Sequence, residues 1–337
     1  KGVSKMIAEL PPNFLQSKEW AKTNELIGHK ILKASFGPTP TYMIVKNAKR
    51  GRYLEIPGGP LLDWSDPSAI NKAFAKIRTL AQENKCVFVR LRPQLLKTPE
   101  NLALLAKAGA VPAPMHLHAE HTIIIDLTKS EEDLLSAMRR QTRYEVRRAL
   151  KLGLTVKKSN TESTFREFHT TQSQTAARQH FIPPDLKTLL AERKAFGEKA
   201  QIYISYSKNE SPSEGGDGSE TASTLAPIAY ALVLIGATEA AYFEAASTDL
   251  NRKLPGAYAL QWQIIKDLKS RGIKSYNLWG IAPPGAKNHR YSGVTTFKSG
   301  FGGEVIEFIP AHDLIISKTR YKLDLAIETL RKKRRNL

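Results

Sequence analysis

The chain is poor in cysteine. Its single Cys86 excludes an intramolecular disulfide and any zinc site built from several cysteines. Cys86 stands in Cys86-Val87-Phe88-Val89, the setting of a small buried hydrophobe rather than a nucleophile. Long apolar runs are missing too: none approaches the ~20 residues that a membrane-spanning helix needs. The longest, Leu225 to Ala237, is broken by Pro227 and is expected to be a buried strand. The amino terminus has no charged-then-apolar leader pattern, which points to a cytosolic protein. There is no Walker A lysine motif, no zinc-binding histidine pair and no Gly-x-Ser-x-Gly elbow. No metal and no cofactor is expected.

What is present is basic charge. The 337 residues carry a formal net charge of +19, with a pI near 9.8. Such an imbalance suits a polyanionic partner, whether nucleic acid, anionic membrane or phosphorylated metabolite, and it also keeps a protein soluble. The length is enough for two domains and the apolar fraction is that of a globular chain.

Periodicity places strands at 42–46 and 52–56, a helix over 68–84, a strand over 87–91, a short helix over 99–108 and a strand over 121–127. A second unit opens at Ser130, a helix N-cap followed by Glu131, Glu132 and Asp133, and its helix is expected to run to Leu152. Then follow a strand at 154–157, a helix over 161–178, strands at 200–205, 227–235 and 242–246, an amphipathic helix over 256–271 and a strand at 275–279. Residues 207–224, rich in Ser, Gly, Glu and Asp, read as a flexible hairpin loop. The order is that of an α+β chain with two similar halves.

Three segments carry chemistry. Gly293 to Glu304 holds Lys298 among four glycines and two phenylalanines. Glycines permit close backbone approach to a ligand, and a lysine held there can stabilise an oxyanion or a phosphate; a glycine-rich hairpin with a surface lysine accounts for the pattern equally well. On a helix, Arg140, Arg143, Tyr144 and Arg147 share one face, which suits phosphate, although a run of basic residues is more often a solvated face. Arg178 and His180 close a helix before Pro183-Pro184 and are weak signals alone. The terminal Arg331-Lys332-Lys333-Arg334-Arg335 suits RNA, lipid headgroups or a basic helix end. In Arg252 to Ala257, one glycine and a proline that lacks an amide donor make a poor pyrophosphate loop for coenzyme A.

Four blocks taken together, Tyr242 to Ser247, Gly256 to Trp262, Ser275 to Ile281 and Phe297 to Gly303, resemble the FemABX peptidyltransferases in order and spacing. Thr142-Arg143-Tyr144 through Arg148-Ala149 resembles that family's basic helix, and Ile56 to Leu61 its first-domain strand and turn. The resemblance implies two tandem GNAT-like acyltransferase domains. The first comprises residues 1–128 plus 311–337, with the carboxyl-terminal helix returning to it; the second comprises 129–310. It implies aminoacyl-tRNA as donor, UDP-MurNAc-pentapeptide or lipid II as acceptor, and a role in peptidoglycan and cell-wall biogenesis and in cell shape. It further implies Lys298, with Phe297 beside it, at the tetrahedral intermediate; Arg178 and Lys22 at the pyrophosphate of the nucleotide sugar; and Tyr242 at the acceptor pocket. Arg143, Tyr144 and Arg147 join the substrate-binding set. A bacterial, cytoplasmic monomer that can touch the inner face of the membrane fits this picture.

Departures from the family pattern are Arg92 where relatives carry an acid before Pro93, Asn277 where they carry Asp, and Glu244-Ala245 for a Tyr-Gly pair. They bear on the acceptor and the transferred amino acid. Two other functions stay open at this point: a coenzyme A-dependent N-acyltransferase, and an RNA-binding protein without catalysis.

Overall fold

The computed structural model describes residues 13–48, 51–179, 181–208, 225–286, 289, 291–323 and 326. The chain is mixed α+β and divides into two compact units, Lys1–Thr122 with Val305–Leu337, and Ile123–Glu304. Most of the loop expected over 207–224, His180 and the basic run 331–335 lie outside the described residues. No described helix is long and apolar enough to cross a membrane.

In the first unit, helix α1 (Lys18–Leu26) starts where Ser17 accepts the amide of Trp20. Strands β1 (Lys30–Ser35), β2 (Pro40–Ala48) and β3 (Gly51–Gly58) follow in an antiparallel meander. The buried Gln16 ties the start of the unit to this meander. Its Nε2 donates to the carbonyls of Pro57 and Tyr42 at 2.6 and 3.1 Å, while its Oε1 accepts from the Tyr42 amide at 2.9 Å.

Helix α2 (Pro67–Glu83) has Asp66 as its cap and Pro67 in its first turn, and buries Ile70, Phe74, Ile77 and Ala81 along one stripe. Strand β4 (Cys86–Pro93) is buried at every position and lies parallel to β3, as a strand–helix–strand crossover requires. Helix α3 (Pro99–Lys107), capped by Thr98, leads to β5 (Ala110–Pro112). The last strand of the chain, β13 (His312–Ile315), returns between β4 and β5 and completes the order β1-β2-β3-β4-β13-β5.

In the second unit, β6 (His121–Asp126) precedes α4 (Glu131–Ala137) and α5 (Arg140–Lys151). Ser130 caps α4 by accepting from the Asp133 amide at 3.0 Å. The continuous helix expected from Ser130 to Leu152 is instead two helices. Met138 takes an extended backbone, the Arg139 amide turns to the Gly300 carbonyl, and the Arg143 guanidinium closes the carbonyls of Ser136 and Met138 left open by the break.

Strand β7 (Thr155–Ser159), α6 (Glu162–Gln179), α7 (Leu186–Phe196), β8 (Ala200–Lys208), β9 (Leu225–Ile235), β10 (Glu239–Ser247), α8 (Gly256–Ser270) and β11 (Ser275–Asn277) follow. Then come α9 (Ser292–Ser299) and β12 (Glu304–Glu307). Helix α7, capped by Asp185, has no counterpart in the sequence reading. The sheet order is β12-β6-β11-β10-β9-β8-β7; β10 and β11 are parallel, while β6–β11, β9–β10, β8–β9 and β7–β8 are antiparallel. Ile123, Ile125, Val233, Leu260, Ile264, Leu268 and Tyr276 lie in its main core cluster.

Candidate active site

The two sheets differ at their parallel pair. In the first unit β3 and β4 stay paired from Arg52↔Cys86 to Gly58↔Pro93. In the second, β10 and β11 join only at Glu239↔Ser275, Ala240↔Tyr276 and Ala241↔Asn277. Strand β10 runs on to Ser247 against β9, with a bulge between Tyr242 and Glu244. The strand expected over 275–279 ends at Asn277 because Trp279 takes a left-handed φ of 61°. Asn277 Oδ1 holds that turn by accepting the Trp279 amide at 2.9 Å. The result is a wedge between diverging strands, and Tyr242 to Ala245 along its edge are half-buried.

Lys298 sits at this wedge. It lies in the last turn of α9 and is 7% exposed. Its Nζ donates to the Gly280 carbonyl at 2.7 Å and lies 5.5 Å from the centre of the Tyr242 ring. Burial lowers its pKa to about 7, and no charged neighbour contributes to the shift. Gln261 is 1% exposed on α8 and accepts from the Tyr276 hydroxyl at 2.9 Å. The Gln261 Nε2 is a buried donor with no hydrogen-bond partner among the described residues. Tyr242 also meets Gln261, and burial pushes its phenol up to about 12, so it is a neutral O–H. A polarising ammonium beside a phenol is an arrangement suited to a developing negative oxygen.

Gly300 and Gly303 serve packing rather than a ligand loop, while Gly293 has open space around it. Residues 292–299 are helical. A Cβ on Gly300 would stand 2.2 Å from Thr142 Oγ1, and one on Gly303, at φ 89°, would stand 2.6 Å from the Ile124 carbonyl oxygen. Phe297 turns into an aromatic group with Tyr258 and Phe301, at ring separations of 5.2 and 5.0 Å, and so anchors α9.

The other expected residues lie elsewhere. Arg178, at the end of α6, donates to Thr175 Oγ1 at 3.2 Å and to the Ser247 carbonyl at the far end of β10. Its Nε lies 3.8 Å from an Asp249 carboxylate oxygen. Lys22 is on the exposed side of α1 in the first unit, paired with Glu25 at 3.1 Å. On α5, Arg143 is engaged with backbone carbonyls, whereas Tyr144 and Arg147 are exposed. The start of α5 has no side-chain cap and borders an open depression of about 500 Å³ lined by Arg139, Arg140, Gln141 and Tyr144.

Glu239, Gln172 and Glu192 had no place in the sequence reading, whereas Asn277 and Glu244 stood there as departures from the family pattern. Glu239, buried at the root of the wedge, has its carboxyl pushed up to about 7 by burial, with a hydrogen bond to Asn277 opposing the shift. Asn277 therefore supplies the turn's acceptor without setting a second carboxylate beside Glu239. On the face packed by α6 and α7, Gln172 Nε2 donates to Glu244 Oε2 at 2.8 Å. Burial pushes Glu244 up to about 7, and burial followed by the Glu244 charge holds Glu192 well above the usual carboxylate range. Glu239, Gln172 and Glu192 were visible in the sequence only as polar residues interrupting an apolar helix or strand face.

The start of α8 is closed to a pyrophosphate. Asn251 Oδ1 accepts the Ala257 amide at 3.0 Å, and a Cβ on Gly256 would fall 2.3 Å from Ile228 Cγ2. That glycine answers to packing.

Comparison with known proteins places these observations. The chain is similar to aminoacyltransferase FemA of Staphylococcus epidermidis, 29% identical over 106 residues, which is 32% of this chain and 25% of that protein. It is also similar to FemA of Staphylococcus aureus (strain MW2), 25% identical over 148 residues, 44% of this chain and 35% of that one. The matches thus span about a quarter to a third of these relatives' length. Among solved structures, FemX superposes with a TM-score of 0.82 at 18% identity, covering 95% of this chain and 96% of that one. The C-terminal domain of a putative lysylphosphatidylglycerol synthetase from Agrobacterium fabrum gives 0.53 at 14% identity, covering 92% and 90%. These likenesses are of fold, a mixed α+β chain with two sheets. A model of the FemAB family matches residues 7–103, 111–211 and 217–329, and with most of its length so matched, the chain belongs to the FemAB family.

Proposed function

We propose that the chain is an aminoacyltransferase that moves an amino acid from aminoacyl-tRNA to the peptide of a peptidoglycan precursor, UDP-MurNAc-pentapeptide or lipid II. The observation that carries this reading is Lys298, buried across the open wedge between Gly280 and Tyr242. A neutral amine on the acceptor attacks the ester carbonyl carbon of the aminoacyl group. A C–N bond forms, the carbonyl oxygen becomes an oxyanion, and the charged form of Lys298 donates to it. Collapse breaks the ester C–O bond, the ribose hydroxyl leaves, and the net proton transfer is from the amine to that oxygen. Because burial brings Lys298 to about 7, it can release and regain a proton near neutrality during this exchange. An ester is already activated, so positioning and charge stabilisation suffice and a nucleophilic triad is not needed.

The exposed Arg140, Tyr144 and Arg147, with the uncapped start of α5, suit the phosphates of the tRNA. Arg178 would serve the acceptor's pyrophosphate. The capped start of α8 speaks against coenzyme A as donor. The test incubates the protein with charged tRNA and UDP-MurNAc-pentapeptide and reads the acceptor by mass spectrometry. Gain of one amino-acid residue, abolished in Lys298→Met, is the expected result. No gain with any charged tRNA, from folded protein, would overturn the reading.

A further inference from the structure

Arg90 and Arg92 lie two residues apart on β4, so their side chains leave the sheet on the same face. Both guanidinium groups rest against an aromatic ring: Arg90 lies 5.0 Å from the centre of Phe88, and Arg92 lies 5.2 Å from the centre of Phe308. Their partners differ. Arg90 holds a complete fork, with Nε and Nη2 donating to the two carboxylate oxygens of Asp313 at 2.8 Å each. Arg92 is only 1% exposed, yet its Nε and Nη1 donate to nothing among the described residues. The fold gives one arginine a carboxylate and withholds it from the next.

The nearby acids are engaged. Glu120 Oε1 lies 2.9 Å from His116 Nδ1 and accepts the Ala311 amide at 3.2 Å. Asp313 is taken by Arg90 and by the Tyr321 hydroxyl. Burial raises the Glu55 carboxyl, with Lys46 and Arg90 acting against that shift. Arg92 nevertheless stays a cation at neutral pH: burial lowers its pKa to about 10, and Glu120 pulls the other way. A buried guanidinium with unused donors is costly unless something accepts from them.

Beside it lies His118, whose side chain is 21% exposed. Its Nε2 is buried without a hydrogen-bond partner, 3.9 Å from Glu55 Oε1. Burial, then the charges of Arg92 and Lys46, lower its pKa to about 3, so the ring is neutral and in its Nε2–H tautomer is a donor. The Trp20 ring stands edge-on to it at 6.4 Å. His118 is thus within electrostatic reach of Arg92 and is itself partly exposed.

We propose that Arg92 and His118 form a binding site for a carboxylate monoanion carried by the substrate. A guanidinium matches a planar carboxylate in shape, as the Arg90–Asp313 fork displays on the same face. A phosphate dianion fits less well, because Glu55 and Glu120 stand close by. Under the functional reading above, on which only the source of the ligand rests, the carboxylate belongs to the acceptor peptide.

The experiment titrates the full chain with N-acetylglycine, N-acetylglycinamide and inorganic phosphate, following the Trp20 indole and His118 imidazole signals by NMR. N-acetylglycine is expected to shift both signals saturably, the amide to leave them unmoved, and phosphate to bind at least tenfold more weakly. In Arg92→Gln the response to N-acetylglycine should weaken at least tenfold, while the free variant melts no lower than the parent, since an unpaired buried charge has been removed. No response in the parent, an undiminished response in Arg92→Gln, or phosphate binding tighter than N-acetylglycine would each overturn the site. So would a free variant that melts lower, because the arginine would then have its partner within the fold. A second arm measures transfer to UDP-MurNAc-pentapeptide, where Arg92→Gln should raise KM about tenfold with kcat retained. An unchanged KM would overturn the acceptor peptide as the source. If the parent transfers nothing, the functional reading fails, and the N-acetylglycine titration alone decides the site.

Discussion

The Lys298 ammonium donates to the carbonyl oxygen of Gly280 at 2.7 Å, spanning the gap left where β11 turns away from β10. A carbonyl is a neutral acceptor, so burial of the lysine is not balanced by a counter-charge, and its pKa falls to about 7. The group is poised to gain an anionic partner. Lys298→Met should therefore lower turnover by about 2–4 kcal/mol of barrier, as for a lost oxyanion donor. Single-turnover transfer from charged tRNA measures this, and unchanged turnover would remove Lys298 from the reaction.

The same lysine sets a pH dependence of stability. Its folded pKa, about 7, lies below its ordinary value of 10.5, so between those values the unfolded chain binds the extra proton. Its contribution to stability should rise as pH increases through that window and fall as pH drops toward 7. Denaturant midpoints of parent and Lys298→Met, compared from pH 7 to 10, should converge with rising pH.

Glu244 and Glu192 act in the opposite sense. Burial raises both, and each is bound to a proton in the folded state at pH values where the unfolded chain has lost it. Their contribution is fully present below the unfolded carboxylate range and is lost as pH rises through about 7, the value for Glu244. Glu192→Gln keeps a neutral side chain at every pH. It should flatten the decline in thermal midpoint between pH 6 and 8; a decline as steep as the parent's would contradict the protonated pair.

Two glycines near the site should respond in opposite directions to alanine. A Cβ on Gly256 would stand 2.3 and 2.6 Å from Cγ2 and Cβ of Ile228, so Gly256→Ala should destabilise by about 1–3 kcal/mol through overpacking. Gly293 lies inside α9 with nothing within 4 Å of a Cβ. Gly293→Ala should stabilise by up to ~1 kcal/mol through helix propensity. Chemical denaturation of both variants checks the contrast.

In the first unit, Asp313 is fully buried and accepts both arms of Arg90 and the Tyr321 hydroxyl. Asp313→Ala leaves a buried guanidinium without its anion and should cost about 3–5 kcal/mol. A loss below 1 kcal/mol by urea unfolding would mean that the pair contributes little.

Much of the fold was legible because it rests on local rules. The cap and stripe of α2, from Asp66 through Ile70, Phe74 and Ile77, follow from spacing alone. The alternation of strand and helix, with the Trp279-Gly280 and Phe297 to Gly303 blocks, carried the family resemblance that the FemAB model confirms. The break at Met138 was not legible, since it depends on the Gly300 carbonyl, far along the chain, taking the Arg139 amide. Nor was the reason for the glycines: spacing cannot tell a ligand loop from a helix end pressed against Thr142 and Ile124.

The sequence by itself determined many of the elements, the α+β order and the presence of a lysine among glycines, because periodicity, capping and turn chemistry act over a few residues. Only the tertiary structure decided that this lysine is buried beside Tyr242 and Gly280, that β10 and β11 part after three residue pairs, and that Arg90 finds a carboxylate where Arg92 does not. Desolvation and pairing are set by groups distant in the chain, and those shift a proton or leave a donor unmet.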